Sequence, residues 1–365
     1  MVSPIDWLAG AFGWSARRRH RCMGEETISI GDGRTRYADG GDPLRVRPAR
    51  TPVGAAVEEL PCTCIAKARK GSWRMTARDP EINGETFTHR VVGPYGHRLH
   101  YVIGGSGDPV LLVPGWPQSW YAWRRVMPLL AKRFTVVAVD PPGLGESDKP
   151  ISGYDTGSVA ARLKELTTTL GWNRFHYVGH DIGCWIGYPF AATFPDAVRR
   201  LVLIDATVPG VVPSDAYAFA PERINRNWHF FFNALPDLPE ALVVGRERAF
   251  ISWLFQSKSA NPAAIDGAAL DEYVRCYSVP GAWRAGVAYY RALFEDIAQN
   301  RAHASRRIKT PILAIGGDAG LGDMMEQMMR TVADDVTGRV IQNCGHYIPE
   351  EAPEFLSDLL LDFLK

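Results

Sequence analysis

Residues 175–193 read Phe175-His176-Tyr177-Val178-Gly179-His180-Asp181-Ile182-Gly183-Cys184-Trp185-Ile186-Gly187-Tyr188-Pro189-Phe190-Ala191-Ala192-Thr193. The apolar run Phe175–Val178 enters a Gly-x-Asp-x-Gly turn, and the apolar segment Cys184–Ala192 leaves it. A buried strand reversing sharply into a helix has this form, with glycines where a side chain would clash. The residue at the tip is held in an exposed, strained pose over the end of a sheet. Here the tip is Asp181. A carboxylate does not acylate as a serine does; it attacks an electrophilic sp3 carbon and forms an alkyl ester.

The rest of the chain supplies the frame for that turn. Val110–Val113, Thr135–Val139, Leu201–Ile204, Ile312–Ile315 and Gly338–Ile341 are further short apolar runs. Such runs suit parallel strands buried on both faces. Thr86–Val92 and Arg98–Ile103 read as a hairpin around Gly96-His97, and Ser158–Leu170 and Phe355–Leu364 as covering helices. Strand–helix alternation predicts an α/β fold with a doubly wound, mostly parallel sheet. Between Asp205 and Ile312 the strand signals stop, while Ala241–Phe255, Gly267–Tyr277 and Arg284–Asn300 are helical in pattern. A structureless loop of that length is implausible in a compact domain, so residues 209–307 are expected to form a helical cap. The cap would lie over the strand ends, where such sheets bind ligands. The core is then 81–208 with 308–365.

Composition narrows the function by exclusion. With 365 residues and a net charge of +1, nothing global recruits nucleic acid or an anionic membrane. No apolar run approaches the ~18–20 residues of a membrane span. Residues 1–74 carry 13 Lys+Arg against 8 Asp+Glu, and residues 1–80 lack sustained periodicity. That extension is expected to be disordered or loosely attached, with Met75 an alternative start. Its apolar patch Ile5–Trp14 precedes the basic cluster Arg17–Arg21, the reverse of a signal peptide, so a cytoplasmic location is the default expectation. The six cysteines have no metal-ligand or disulfide spacing, so neither a metal nor a cofactor is expected.

Four pieces carry the chemistry. Asp181 is the nucleophile. Val113-Pro114-Gly115-Trp116-Pro117 follows a buried strand, where the backbone N–H groups of Trp116 and Ile182 would form an oxyanion hole. Gly345-His346 follows the last strand, the place of the general base in the order nucleophile, acid, histidine. Asp205, ending the strand after the turn, and Asp318, in Gly316-Gly317-Asp318, are the two candidates for orienting His346.

These motifs resemble the α/β-hydrolase superfamily over residues 85–365, and within it the epoxide hydrolases. The likeness rests on Gly115-Trp116-Pro117, Asp140–Asp148 and His180–Gly183. Trp228–Phe232, Tyr289–Leu293 and Cys344–His346 are most similar to the Cif-like epoxide hydrolases. The resemblance implies that His229 and Tyr290 donate to the epoxide oxygen, with Tyr289 the competitor for the tyrosine. It also favours Asp205, where those enzymes have a glutamate. Pro114 departs from the histidine usual before the oxyanion glycine.

The expected reaction is hydrolysis of an apolar epoxide to a vicinal diol, because Trp228 and Phe230–Phe232 flank the donors. The partners are then epoxide and water, and a homodimer is left open. The nearest alternative is a haloalkane or haloacid dehalogenase. Ile182 stands where haloalkane dehalogenases carry Trp, and Ile182, Cys184 and Trp185 offer no arginine to grip a haloacid. A non-catalytic receptor on the same scaffold is the alternative from another class.

Overall fold

The computed structural model describes residues 81–365, apart from 83–84, 94–96, 213–220 and 222–223. The expectation for residues 1–80 therefore lies outside the described residues. Eight strands form one sheet: β1 (Thr88–Val92), β2 (Leu99–Gly105), β3 (Asp108–Val113), β4 (Phe134–Val139), β5 (Phe175–His180), β6 (Val198–Ile204), β7 (Ile312–Gly317) and β8 (Val336–Ile341). Their order is β8-β7-β6-β5-β3-β4-β2-β1. β1 and β2 pair antiparallel, as does β2 with β4, and all other neighbours are parallel. This is the α/β-hydrolase sheet.

Its central strands are apolar throughout because both faces are covered. Alternate residues of β3 go to opposite clusters, Leu111 and Val113 to one, Val110 and Leu112 to the other. On the first face lie α2 (Thr156–Thr169) and α3 (Ile182–Thr193), following the short α1 (Met127–Ala131). Asp155 caps α2 by accepting from the Ser158 N–H at 2.9 Å, satisfying a first-turn donor that has no intrahelical partner.

Between β6 and β7 the described chain is helical: α4 (Ile224–Ala234), α5 (Leu238–Val243), α6 (Glu247–Lys258), α7 (Gly267–Tyr277), α8 (Ala282–Arg291) and α9 (Leu293–His303). Two stretches expected as single helices are each broken. Ala241–Phe255 divides at Gly245, whose φ of 84° ends α5 before α6 begins. Arg284–Asn300 divides at Ala292, and its halves bond different parts of the core. Tyr289 of α8 donates to the Pro142 carbonyl, whereas Asp296 of α9 accepts from the Thr156 N–H. The chain closes with α10 (Met324–Arg330), α11 (Ile348–Glu351) and α12 (Pro353–Phe363).

One buried polar network ties the helical insertion to the sheet. Glu350, on α11, accepts from Arg124 at 2.7 Å and from the hydroxyl of Tyr273 on α7; that hydroxyl also accepts from Gln118 at 3.1 Å. Glu350 is fully buried, so its charge is offset only by these partners. Glu350→Ala leaves the Arg124 guanidinium without its counter-ion and should cost about 3–5 kcal/mol in urea unfolding. Removing the exposed Asp108–Arg199 pair should cost less than about 1 kcal/mol.

Candidate active site

The turn after β5 is as tight as the sequence implies. A Cβ on Gly179 would lie 2.3 Å from the Gly183 carbonyl oxygen, and one on Gly183 would lie 2.2 Å from that of Val113. Only glycine fits either place. Asp181 between them has φ 53° and ψ −118°, a sparsely populated conformation for a side-chain-bearing residue. It is held there by the Asp181 N–H donating to Ile204 O at 3.2 Å and the Cys184 N–H donating to Asp181 O at 2.8 Å.

The carboxylate is gripped from two sides. Its Oδ1 accepts from the Trp116 N–H at 2.9 Å, and its Oδ2 lies 3.3 Å from His346 Nε2. Ile182 starts α3, so its N–H has no intrahelical acceptor. Pro114 does not dislodge the loop. The Gln118 N–H bonds Gly115 O at 2.8 Å, and the Asp140 carboxylate accepts from Trp120 N–H at 2.7 Å and Glu146 N–H at 3.0 Å.

His346 Nδ1 donates to Asp205 Oδ2 at 2.8 Å. The other Asp205 oxygen accepts from the backbone N–H groups of Gly317 (3.0 Å) and Leu321 (2.8 Å). Asp205 is thus fixed before it orients anything. Asp318, the alternative acid, does not reach the histidine: it is exposed and accepts from the backbone N–H groups of Ala319, Asn343 and Cys344. Its short side chain closes the loop after β7 onto the loop after β8.

Charge is set by these contacts. Burial opposes ionisation of Asp181, but the hydrogen bond and charge of His346, with His180 and Lys258, hold its carboxyl well below the usual range. Burial also opposes charge on His346, yet the bonds to Asp181 and Asp205 outweigh it and raise its pKa above the ordinary histidine value.

A cavity of about 180 Å³ lies over this group, lined among others by Asp181, His346, Trp185, His229, Phe230, Arg226 and Lys258. His229 therefore reaches the expected place. Tyr290 packs beside it, its ring 5.5 Å from that of His229 and 5.4 Å from that of Trp116. The Tyr289 hydroxyl instead donates to Pro142 O at 2.8 Å. The expected apolar wall is only partly there. Of Phe230–Phe232, Phe230 lines the cavity, Phe231 is 60% exposed, and Phe232 stacks on Phe250.

Three residues at the site were not singled out by sequence reasoning. His180 Nε2 donates to the His346 carbonyl at 2.8 Å, and burial lowers its pKa to about 4, keeping it neutral. Lys258 accepts the His346 N–H on its carbonyl at 2.9 Å, and its Nζ lies 3.1 Å from His229 Nε2. Arg226 lines the cavity and donates to Gly320 O at 2.6 Å. His180 stood inside the quoted motif, but a lone lysine ending an amphipathic helix carries no motif. Among the described residues, no group of three or more His, Cys, Asp or Glu could hold a metal ion.

Residues 108–353 match the family described as alpha/beta hydrolase fold. A soluble epoxide hydrolase of Corynebacterium sp. (strain C12) is 38% identical over 280 residues, covering 76% of this chain and 96% of that protein. A fluoroacetate dehalogenase of Burkholderia sp. is 30% identical, covering 77% and 94%. The crystal structure of wild-type Cfl2 from Burkholderia cenocepacia superposes with a TM-score of 0.74 at 45% identity, covering 76% of this chain and 96% of that one.

Gly115 offers a direct check on the carboxylate's place. A Cβ there would lie 2.2 Å from the Asp181 Cβ. Gly115→Ala should push the Asp181 carboxylate off the Trp116 N–H, costing about 1–3 kcal/mol of stability and lowering turnover about a hundredfold or more in the folded enzyme, the scale for losing one oxyanion donor. An active Gly115→Ala enzyme would mean that the loop does not hold Asp181 in this way.

Proposed function

The chain belongs to the alpha/beta hydrolase fold family, and on that premise we propose that it is an epoxide hydrolase working through an ester on Asp181. The observation that carries the reading is a buried, ionised Asp181 that shares one histidine, His346, with Asp205 beneath a cap-lined cavity. An alkyl ester on Asp181 needs a separate base to release it, and His346 is in position to serve.

In the first half-reaction an Asp181 oxygen attacks a ring carbon, and the carbon–oxygen bond of the epoxide breaks. The epoxide oxygen turns toward the cap wall and takes a proton from Tyr290, whose phenol burial keeps protonated, with His229 facing the cavity beside it; the carboxylic acid that ester hydrolysis leaves on Asp181 gives that proton back. In the second, His346 Nε2 takes a proton from water, which attacks the carbonyl carbon of the ester. The Trp116 and Ile182 N–H groups receive the charge of the tetrahedral intermediate. Asp205 steadies the imidazolium. Collapse returns that proton to the departing alkoxide and releases the diol. Trp185 and Phe230 give the cavity one apolar face for a small substrate's hydrocarbon part.

A dehalogenase reading has one observation in its favour beyond the 30% relative: the cations Arg226 and Lys258 line the cavity, where a carboxylate could rest. Against it, the side chains of Ile182 and Phe230 carry no N–H to offer a departing halide. Halide release from fluoroacetate, without diol from any epoxide, would establish it.

The scheme predicts a trapped ester. His346→Gln treated with styrene oxide should gain the mass of one substrate on the peptide carrying Asp181, and Asp181→Ser should gain none. Hydrolysis of the wild-type ester needs neutral His346, so its rate should rise with pH through the titration of His346; with Asp181 esterified, only Asp205 of the two carboxylates that raise that pKa keeps its charge. An adduct missing from His346→Gln across an epoxide panel would refute the mechanism.

A further inference from the structure

Two cations, Lys258 and Arg226, line the cavity, and the mechanism above uses neither. Lys258 ends α6, and Arg226 lies in the first turn of α4. An ammonium has three N–H groups and can only donate. His229 Nε2 takes one of them at 3.1 Å, and Nζ makes no other hydrogen bond among the described residues. Arg226 uses one guanidinium N–H on Gly320 O at 2.6 Å. Among the described residues neither cation forms an ion pair; the nearby Asp181 and Asp205 both pair with His346.

A cavity meant only for neutral ligands would gain nothing from this arrangement. A charge drawn from water is expensive unless an opposite charge meets it, and here two like charges face one space. Burial lowers the Lys258 pKa to about 8, and Arg226 is close enough to push the same way, against Asp181 and Asp205. An anion between the two cations would relieve both, through charge-assisted hydrogen bonds. Each cation is also held in register with the reacting groups. The Lys258 carbonyl bonds the His346 N–H, and Arg226 bonds the loop whose Leu321 N–H holds Asp205.

We propose that the substrate is a short-chain epoxide bearing a carboxylate, which Lys258 and Arg226 hold while Asp181 opens the ring. The inference rests on the epoxide-hydrolase reading above and names its substrate class. The carboxylate sits apart from the epoxide oxygen, which turns to Tyr290 and His229. A cavity of about 180 Å³ admits about six water-sized groups, so one or two carbons, not a long chain, separate acid from ring. Ester formation removes the Asp181 charge and leaves the substrate's own carboxylate as counter-ion to the two cations. No bond to that carboxylate forms or breaks, so the proton balance of both half-reactions is unchanged.

Arg226 and His229 face Lys258 from the cap side, and Asp181, Asp205 and His346 from the sheet side. Lys258 is charged below a pH of about 8 and loses that charge as pH rises through it. A guanidinium does not titrate in that range. Recognition of the carboxylate should therefore weaken on the alkaline side without vanishing, and a neutral epoxide should not share the change.

The test compares diol formation from 3,4-epoxybutanoate and from 3,4-epoxybutanamide, its neutral isostere. The acid-to-amide ratio of kcat/KM cancels whatever a variant does to the shared chemistry. Wild type should prefer the acid about tenfold or more, the scale of one hydrogen bond to a charged group. That preference should fall as pH rises through about 8. Lys258→Met and Arg226→Met should each lower the ratio about tenfold, chiefly through the KM of the acid, as loss of an anchor does. Lys258→Arg should keep the preference and lose its alkaline fall. A ratio unchanged within twofold in both folded methionine variants would overturn the proposal, as would equal or better use of the amide by wild type. Should neither variant fold, inhibition of styrene oxide hydrolysis in wild type decides: butanoate should bind about tenfold more tightly than butanamide, and equal inhibition overturns the proposal. Absence of diol from every epoxide, charged or neutral, would instead refute the epoxide-hydrolase reading itself.

Discussion

A carboxylate kept ionised inside a protein is the constraint around which this molecule is arranged. Burying a lone carboxylate in a low-dielectric interior carries a penalty of several kcal/mol even after relaxation. Asp181 escapes neutralisation because its two oxygens have separate partners, the Trp116 N–H and the His346 ring. The same contacts aim it. A carboxylate satisfied by a freely rotating lysine would be charged but not directed, whereas a backbone N–H at 2.9 Å and a ring nitrogen at 3.3 Å fix its plane.

The partners are themselves fixed, and the chain of supports ends in the sheet. His346 is held at its Nδ1 by Asp205, at its N–H by Lys258 O, and at its carbonyl by His180. Asp205 is held by two backbone N–H groups, one at the end of β7 and one just after it. Neither Asp181 nor Asp205 adopts an ordinary backbone conformation; their φ values are 53° and 49°. Strain of that kind persists only where the surroundings over-determine it, and here both residues leave the ends of neighbouring parallel strands.

This explains what could be read from the sequence. The sheet was legible because buried strands leave short apolar runs, and the turn at Asp181 because close packing admits only glycine at 179 and 183. Asp205 and His346 were legible by position, since each follows a strand of the sheet. The choice between Asp205 and Asp318 needed the structure: both follow adjacent strands, and only the loop geometry sends one toward His346 and the other into a backbone cap. The cap was legible as helix but not as wall. Helical spacing says which side of α4 is apolar, not which aromatic ring meets the cavity, so Phe230 could not be told from Phe231. Lys258 was illegible for a different reason. An exposed lysine at a helix C-terminus is favourable on helix-dipole grounds alone, and nothing local distinguishes it from one turned inward.

The cavity also has a charge balance that neither half of the molecule would have alone. The sheet side contributes two aspartates, and His346 can match only one of them at a time. The cap side contributes Arg226 and Lys258. Separating cap from sheet would leave like charges facing each other on both surfaces, so the electrostatics of the site join the Arg124–Glu350–Tyr273 network in holding the two layers together. The cations that complete the site are thus also part of what keeps it covered, and excluding water in turn strengthens each charge contact inside it.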